Sequence, residues 1–384
     1  MALHFTREEF AARQAAACAA IVDQGLDGLL IFKQESMFYL TGYDTAGYSM
    51  FQAMWLGADG RLALLTRSAD RLQAKLTSVV EDTRIWVDRE GADPGQDLRA
   101  MLDDHGVRGS RIGVEYHAYG LTAQRGRMVD SALYGFCRTE DASDLVRLIR
   151  LVKSPAELDF TRKAGALCDE AWAVALRQTV PGAFLGDVYG RMMAAILAGD
   201  GDPPAGRFPM GAGEHALLVR YHTGKEVVGP DDQVQHEFAA AYRHYHACAM
   251  GVVTTGVAKA EHRSMLSACS DALAACQEAL RPGKTVGDVF AAHRDTLTRA
   301  GHGHAALNAC GYTLGVAYPP TWMDWPMIWE GNPQVLSPGM VFFVHIILLD
   351  DRTGCSMALG ETAIVNEGAC ERITHVAESL SGSA

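Results

Sequence analysis

The densest chemistry in the chain lies between residues 232 and 251, DQVQHEFAAAYRHYHACAMG, where Glu237, Tyr242, His244, Tyr245, His246 and Cys248 fall within twelve positions. Carboxylate, imidazole and thiolate are metal donors, and carboxylate with imidazole also makes an acid–base pair. Alternation along a strand predicts that Tyr242, His244, His246 and Cys248 share one face, with Arg243, Tyr245 and Ala247 on the other. Imidazole titrates near working pH, so His244 and His246 facing a pocket with Glu237 can move a proton. The plainer alternative is that each histidine satisfies a backbone carbonyl or lies on a dimer surface. Further along, YPPTWMDWPMIW sets Trp322, Trp325 and Trp329 within eight residues, as an aromatic pocket wall or a packed loop. Glu361 stands in the otherwise apolar MALGETAIV, where a carboxylate can orient water, act as a base or attack directly.

These residues need a scaffold. At 384 residues the chain is long for one domain and has ample apolar content for two cores. Short β-type runs (GLLIFKQ, LALLTR, RIGVEY) alternate with helical patterns early in the chain, predicting an α/β domain over residues 1–152. LVKSPAELD then opens a second domain over 153–384, with Ser154 as helix cap and Pro155 at the first helical position. In that domain P-G-x-x-x-G-D-V occurs twice, at Pro181–Val188 and Pro282–Val289, a duplication with a period near 100 residues. Each copy is followed by β-type sequence: HALLVRYHTG and the histidine-rich run in the first, GMVFFVHIILLD and SMALGETAIV in the second. Two α-α-β-β halves around one sheet place a site where they meet, and Glu237 and Glu361, one from each half, are expected to converge there.

A net charge of −12 and a pI near 5.6 argue against nucleic acid or an anionic membrane as partner, and favour a small molecule or a protein. No run approaches the ~20 apolar residues that span a bilayer, and the N-terminus is charged where a signal peptide is apolar. The expectation is a cytoplasmic protein. Nine scattered cysteines without a C-x-x-C pair predict reduced, mostly buried thiols.

KSPAEL, the paired P-G-x-x-x-G-D-V segments, LSPGMVFFVHI and LGETAIVNEG resemble the pita-bread fold of the creatinase, aminopeptidase P and methionine aminopeptidase superfamily. The match covers essentially the whole chain, and the two-domain order is similar to that of creatinase and prolidase. It implies an α/β N-terminal domain, an α+β pita-bread domain of two duplicated ααββ halves, and a homodimer. Metal-dependent members hold two ions with two aspartates, a histidine and two glutamates. At those positions the resemblance places Glu237, Cys248, Tyr312, His345 and Gly360, a poor set for hard divalent ions. It therefore implies a site without a metal pair or other cofactor, with a single soft ion on Cys248 and a histidine left open.

GVAYPPTW and the lone glutamate of LGET look like the metal-independent creatinase and ectoine hydrolase branch. Creatinase carries an acid–base histidine upstream of the first ligand strand; its counterpart here is Arg220 or, with a two-residue loop change, His222. His222 suits proton transfer and Arg220 suits bidentate binding of a substrate carboxylate. The expected catalytic set is His222, Glu237, His246 and Glu361, with Arg220, Tyr242, His244, Tyr312, His345 and Trp322 binding substrate. The resemblance also implies that Tyr43, Tyr48 and Phe51 lie on a loop reaching over a site, with core packing an equal alternative. The function that follows is metal-independent hydrolysis of a C–N bond in a small polar cyclic amidine, guanidino compound or amide. Two alternatives stand beside it: a metal-dependent Xaa-Pro-type peptidase or small-molecule lyase, and a non-catalytic binding module.

Overall fold

A computed structural model of the chain describes residues 3–221 and 225–376. The backbone forms two units, Met1–Arg150 and Leu151–Ala384. The first is built on six short strands, β1 (Gly28–Ile31), β2 (Ala53–Gly57), β3 (Leu62–Arg67), β4 (Asp82–Trp86), β5 (Arg111–Val114) and β6 (Arg138–Asp141), in the order β4-β3-β2-β1-β5-β6. The β1–β2 and β2–β3 pairs are antiparallel and the rest parallel. Helices α1 (Arg7–Asp23), α2 (Gln34–Thr41), α3 (Arg71–Thr77), α4 (Pro94–Asp104), α5 (Ala123–Leu133) and α6 (Leu145–Ile149) complete it. Two residues of the aromatic loop belong to its interior. Tyr43 is fully buried with its hydroxyl 3.3 Å from Thr66 Oγ1, and Phe51 packs on Phe32 at 6.0 Å between ring centres.

The second unit begins at Leu151, and its first helix carries the expected cap. Ser154 Oγ accepts from the Glu157 N–H, Glu157 returns a bond to the Ser154 N–H, and Pro155 opens α7 (Pro155–Gln178). The order continues α8 (Leu185–Ala198), β7 (Met210–Ala212), β8 (Gln233–Tyr242), β9 (Tyr245–Thr254), α9 (Ala260–Ala279), α10 (Val286–Arg299), β10 (Ala309–Thr313), β11 (Asp324–Trp329), β12 (Val341–Asp350), β13 (Cys355–Ile364) and the short β14 (Glu371–Arg372). One antiparallel sheet results, ordered β11-β10-β12-β13-β9-β8-β7, with β14 on β13, and α7 and α9 pack against it.

The duplication is visible in the backbone. Gly182 and Gly283, with φ of 84° and 82°, take the left-handed conformation that favours glycine. Their N–H groups donate to Val228 at 2.8 Å and Leu336 at 3.2 Å, and three residues on Leu185 and Val286 donate to Glu226 and Gln334. The halves meet along β9 and β13, and the chain has the expected α/β plus α+β pita-bread architecture.

Two local expectations fail. The described part of HALLVRYHTG, HALLVRY, is not a strand: Gly213–Leu217 forms a short 3-10 helix, and a turn follows at Val219 and Arg220. Strand alternation also does not run through YRHYH. Arg243 and His244 have φ of 51° and 65°, the two left-handed residues of a two-residue hairpin turn, so Tyr242 and Tyr245 pair directly. All nine cysteines are free, and six are buried. Among the described residues no helix is long and apolar enough to cross a membrane.

Candidate active site

The register of the central strands decides which side chains can meet. Glu237 pairs with Met250, Met250 with Gly360, and Gly360 with His345. Directly opposed residues of an antiparallel sheet point to the same face, so Glu237, Met250 and His345 share one side. Tyr312 joins them by pairing with Phe343, two residues from His345. That side forms the floor of a cavity of about 1020 Å³, with Glu237, Tyr312, His345 and Ile347 at its base and Arg207 and Arg220 on its walls.

Glu237 is partly exposed to this cavity. Burial pushes its carboxyl up from 4.5 to about 7, against the pull of the Arg220 charge and a hydrogen bond from Tyr312. Tyr312 Oη donates to Glu237 Oε1 at 3.4 Å and is held in turn by the Trp322 indole N–H at 2.9 Å. Trp322 thus belongs to the site through Tyr312 as well as through its ring. His345 is almost fully buried, and its Nδ1 has no partner among the described residues. Burial, His293 and Arg220 hold this imidazole down at about 3, so it is neutral at working pH. Arg220 is exposed and makes no ion pair among the described residues.

Other expected residues lie elsewhere. His246 faces the same side of the sheet but is roofed by the loop after α8: its Nε2 accepts from the Ala205 N–H at 3.0 Å. Burial, with the neighbouring His244, lowers it to about 4, so it is a buried neutral acceptor behind the cavity wall and not a proton relay. His244 sits in the hairpin turn, stacked on Tyr318 at 4.4 Å. Tyr242 points to the opposite side, against Phe160 of α7 at 5.5 Å. His222 lies outside the described residues.

Glu361 does not converge on Glu237. It pairs with Ala249, which pairs with Phe238, so its side chain leaves from the helix-covered face. There Arg372 donates to its two oxygens at 2.6 and 2.7 Å, Gln277 Nε2 donates at 2.8 Å and the Val376 N–H at 3.1 Å. The residue of LGET on the cavity side is Gly360, one position away.

A metal pair needs charged donors around one point, and this arrangement does not offer them. A Cβ built at Gly360 would lie 2.7 Å from Phe343 Cζ and 3.0 Å from Met250 Cβ, so a ring occupies the space a carboxylate side chain would need. Burial raises the Cys248 thiol and the Tyr312 phenol well above their ordinary values, leaving both protonated. Among the described residues no group of three or more His, Cys, Asp or Glu is placed to hold an ion. The residues do not fit a metal pair.

Sequence reasoning named Arg220 and Trp322 on the cavity but missed Arg207 and the methionines of its walls. Arg207 sits on a loop rich in glycine and proline, and Met193, Met323 and Met327 reach in from α8, the segment before β11 and β11 itself. Met323 and Met327 lie within YPPTWMDWPMIW, which stood out for its tryptophans alone, and Arg207 and Met193 belong to no motif.

The comparisons agree with this architecture. Residues 159–367 match the family model "Metallopeptidase family M24" and residues 13–152 the "Creatinase/Prolidase N-terminal domain". The chain belongs to metallopeptidase family M24, within the creatinase and aminopeptidase P superfamily. It is 26% identical to the ectoine hydrolase of Halomonas elongata over 99% of this chain and 98% of that one. It is 29% identical to the probable dipeptidase PepE of Mycobacterium tuberculosis, over 89% and 88% respectively. The crystal structure of dipeptidase PepE from Mycobacterium ulcerans superposes with a TM-score of 0.85 at 26% identity, covering 98% of each chain. At the level these relatives share, the chain is a hydrolase.

Proposed function

We propose that this protein hydrolyses a C–N bond of a carboxylate-bearing amide or amidine without a metal ion, using Glu237 as general base. The observation that carries the reading is a single carboxyl, poised at about 7, in a cavity whose second carboxylate position is filled by the Phe343 ring. A base works best with a pKa near the operating pH. Glu237 takes a proton from water as the water oxygen bonds to the amide or amidine carbon, and passes that proton to the leaving nitrogen as the C–N bond breaks. Arg220 holds the substrate carboxylate, and neutral His345 offers a hydrogen-bonding edge. The ectoine hydrolase relative supports a non-peptide substrate. The PepE relatives favour a second reading, dipeptide hydrolysis at the same base.

Metal analysis together with turnover in chelator tests the reading. Protein purified without added metal is expected to hold far less than one ion per chain and to keep its rate in EDTA. About one or two tightly bound ions per chain, with the rate lost in chelator, would return the protein to metallopeptidase chemistry.

Tyr312 gives a second test. Its hydroxyl hydrogen bond favours the ionised form of Glu237. Tyr312→Phe is therefore expected to raise the Glu237 pKa further, moving the acid limb of kcat/KM to higher pH, with a severalfold loss at pH 6 that largely recovers at pH 9. A uniform loss at all pH values would mean that Tyr312 acts on substrate and not through Glu237.

A further inference from the structure

The cavity carries information about substrate beyond the reacting bond. Its volume of about 1020 Å³ lies at the upper end of the roughly 300–1,000 Å³ of small-molecule sites, far more than one small ring or guanidino acid fills. Glu237, Tyr312 and His345 lie at the floor and Arg207 and Arg220 on the walls, while Met193, Met323, Met327 and Trp322 give the walls an apolar stretch beside Pro203 and Pro320. Methionines on three chain segments make an apolar surface that repacks around varied groups.

Charge narrows the class. Among the described residues Glu237 is the one acidic side chain on the cavity, which two cations, Arg207 and Arg220, also line. A free ammonium, as at the end of a dipeptide, or an amidinium would be repelled by both arginines. It would also take Glu237 as its counter-ion, and Glu237 would then not be free to deprotonate water. A neutral amide has neither difficulty. Arg220 acts on Glu237 and on His345, so a carboxylate held there lies close to the reacting bond. In an α-amino acid one carbon separates carboxylate from amide nitrogen, the shortest link that keeps the two groups together in one cavity.

We infer that the substrate is an N-acyl α-amino acid with an apolar acyl group, its carboxylate on Arg220, its amide over Glu237 and its acyl chain among Met193, Met323 and Met327. This rests on the metal-free C–N hydrolysis proposed above. The products are a free amino acid and a fatty or aromatic acid; water supplies oxygen to the acyl carbon and a proton to the amine.

The test is kcat/KM of the whole chain in EDTA for N-acetyl-, N-butanoyl- and N-hexanoyl-L-alanine, beside L-alanyl-L-alanine, creatine and ectoine. Each added methylene should raise kcat/KM about threefold to fourfold while the wall is being covered. The free-amine dipeptide should be at least ~100-fold slower than the acetyl compound, whose acyl group is of similar size, since two cations and one shared carboxyl oppose its ammonium. Met193→Gln should flatten the chain-length series. A flat series, no hydrolysis of any N-acyl compound, or chelator-resistant turnover confined to the dipeptide, creatine or ectoine would overturn the substrate inference while leaving metal-free hydrolysis standing in the last case. Turnover of any substrate that vanishes in EDTA and returns with metal would overturn both.

Discussion

Glu237→Gln is expected to lower kcat by about 10³-fold and, above neutral pH, to make the protein harder to unfold. Both effects have one origin. The Glu237 carboxyl titrates at about 7 in the folded chain against an ordinary 4.5, with burial as the main cause. A folded pKa raised above the unfolded one means that the group's contribution to stability is fully present below 4.5 and is lost as pH rises through 7. At pH 9 the folded chain carries a carboxylate that water would solvate better, a penalty on the order of 3 kcal/mol for a shift of this size. Glutamine removes that penalty and still accepts from the Tyr312 hydroxyl. Denaturant unfolding of both proteins at pH 5 and pH 9 measures it: the advantage of the variant should grow with pH. An equal difference at both values would show that Glu237 is not held up by burial, and the base assignment would lose its support.

That carboxyl was legible in the sequence, and the reasons mark where such reading ends. Glu237 stood out because the resemblance places it at the first metal-ligand position, and β8 (Gln233–Tyr242) runs through it in unbroken register with β9. The paired P-G-x-x-x-G-D-V segments were legible because a glycine at positive φ and a helix start are local events, repeated with the same geometry at Gly182 and Gly283. Long-range parity was not legible. LGET offers Gly360 and Glu361 to opposite faces, and only the pairing of β13 with β9 decides which one looks into the cavity. The hairpin turn failed for another reason: Arg243-His244 contains neither the Asn nor the Gly that marks such turns. One unseen turn was enough to place Tyr242 and His244 on the wrong face. His246 was read on the correct face, but nothing in its own strand announces that the Ala205 N–H, some forty residues earlier, closes over its ring.

The second large effect concerns the other glutamate and runs in the opposite direction. Arg372→Leu is expected to cost the second unit about 3 kcal/mol of stability while changing kcat/KM of the folded protein less than about threefold. Glu361 is 2% exposed, and among the described residues Arg372 supplies two of its four hydrogen bonds and its one counter-charge. Breaking a buried pair from one side leaves the other charge unpaired, and this dominates the cost. The figure sits at the low end of the range because the Arg372 side chain is 48% exposed and water already screens it. Glu361 faces α9 on the far side of the sheet from the cavity, so its loosening reaches Glu237 only through the backbone of β13 and β9. Unfolding and kinetics measured on Glu237→Gln and Arg372→Leu together should therefore show opposite patterns, one losing rate and gaining stability, the other losing stability and keeping rate. If Arg372→Leu instead abolished turnover in protein that remains folded, Glu361 would act in the reaction, and the division of labour between the two halves of the duplication would be wrong.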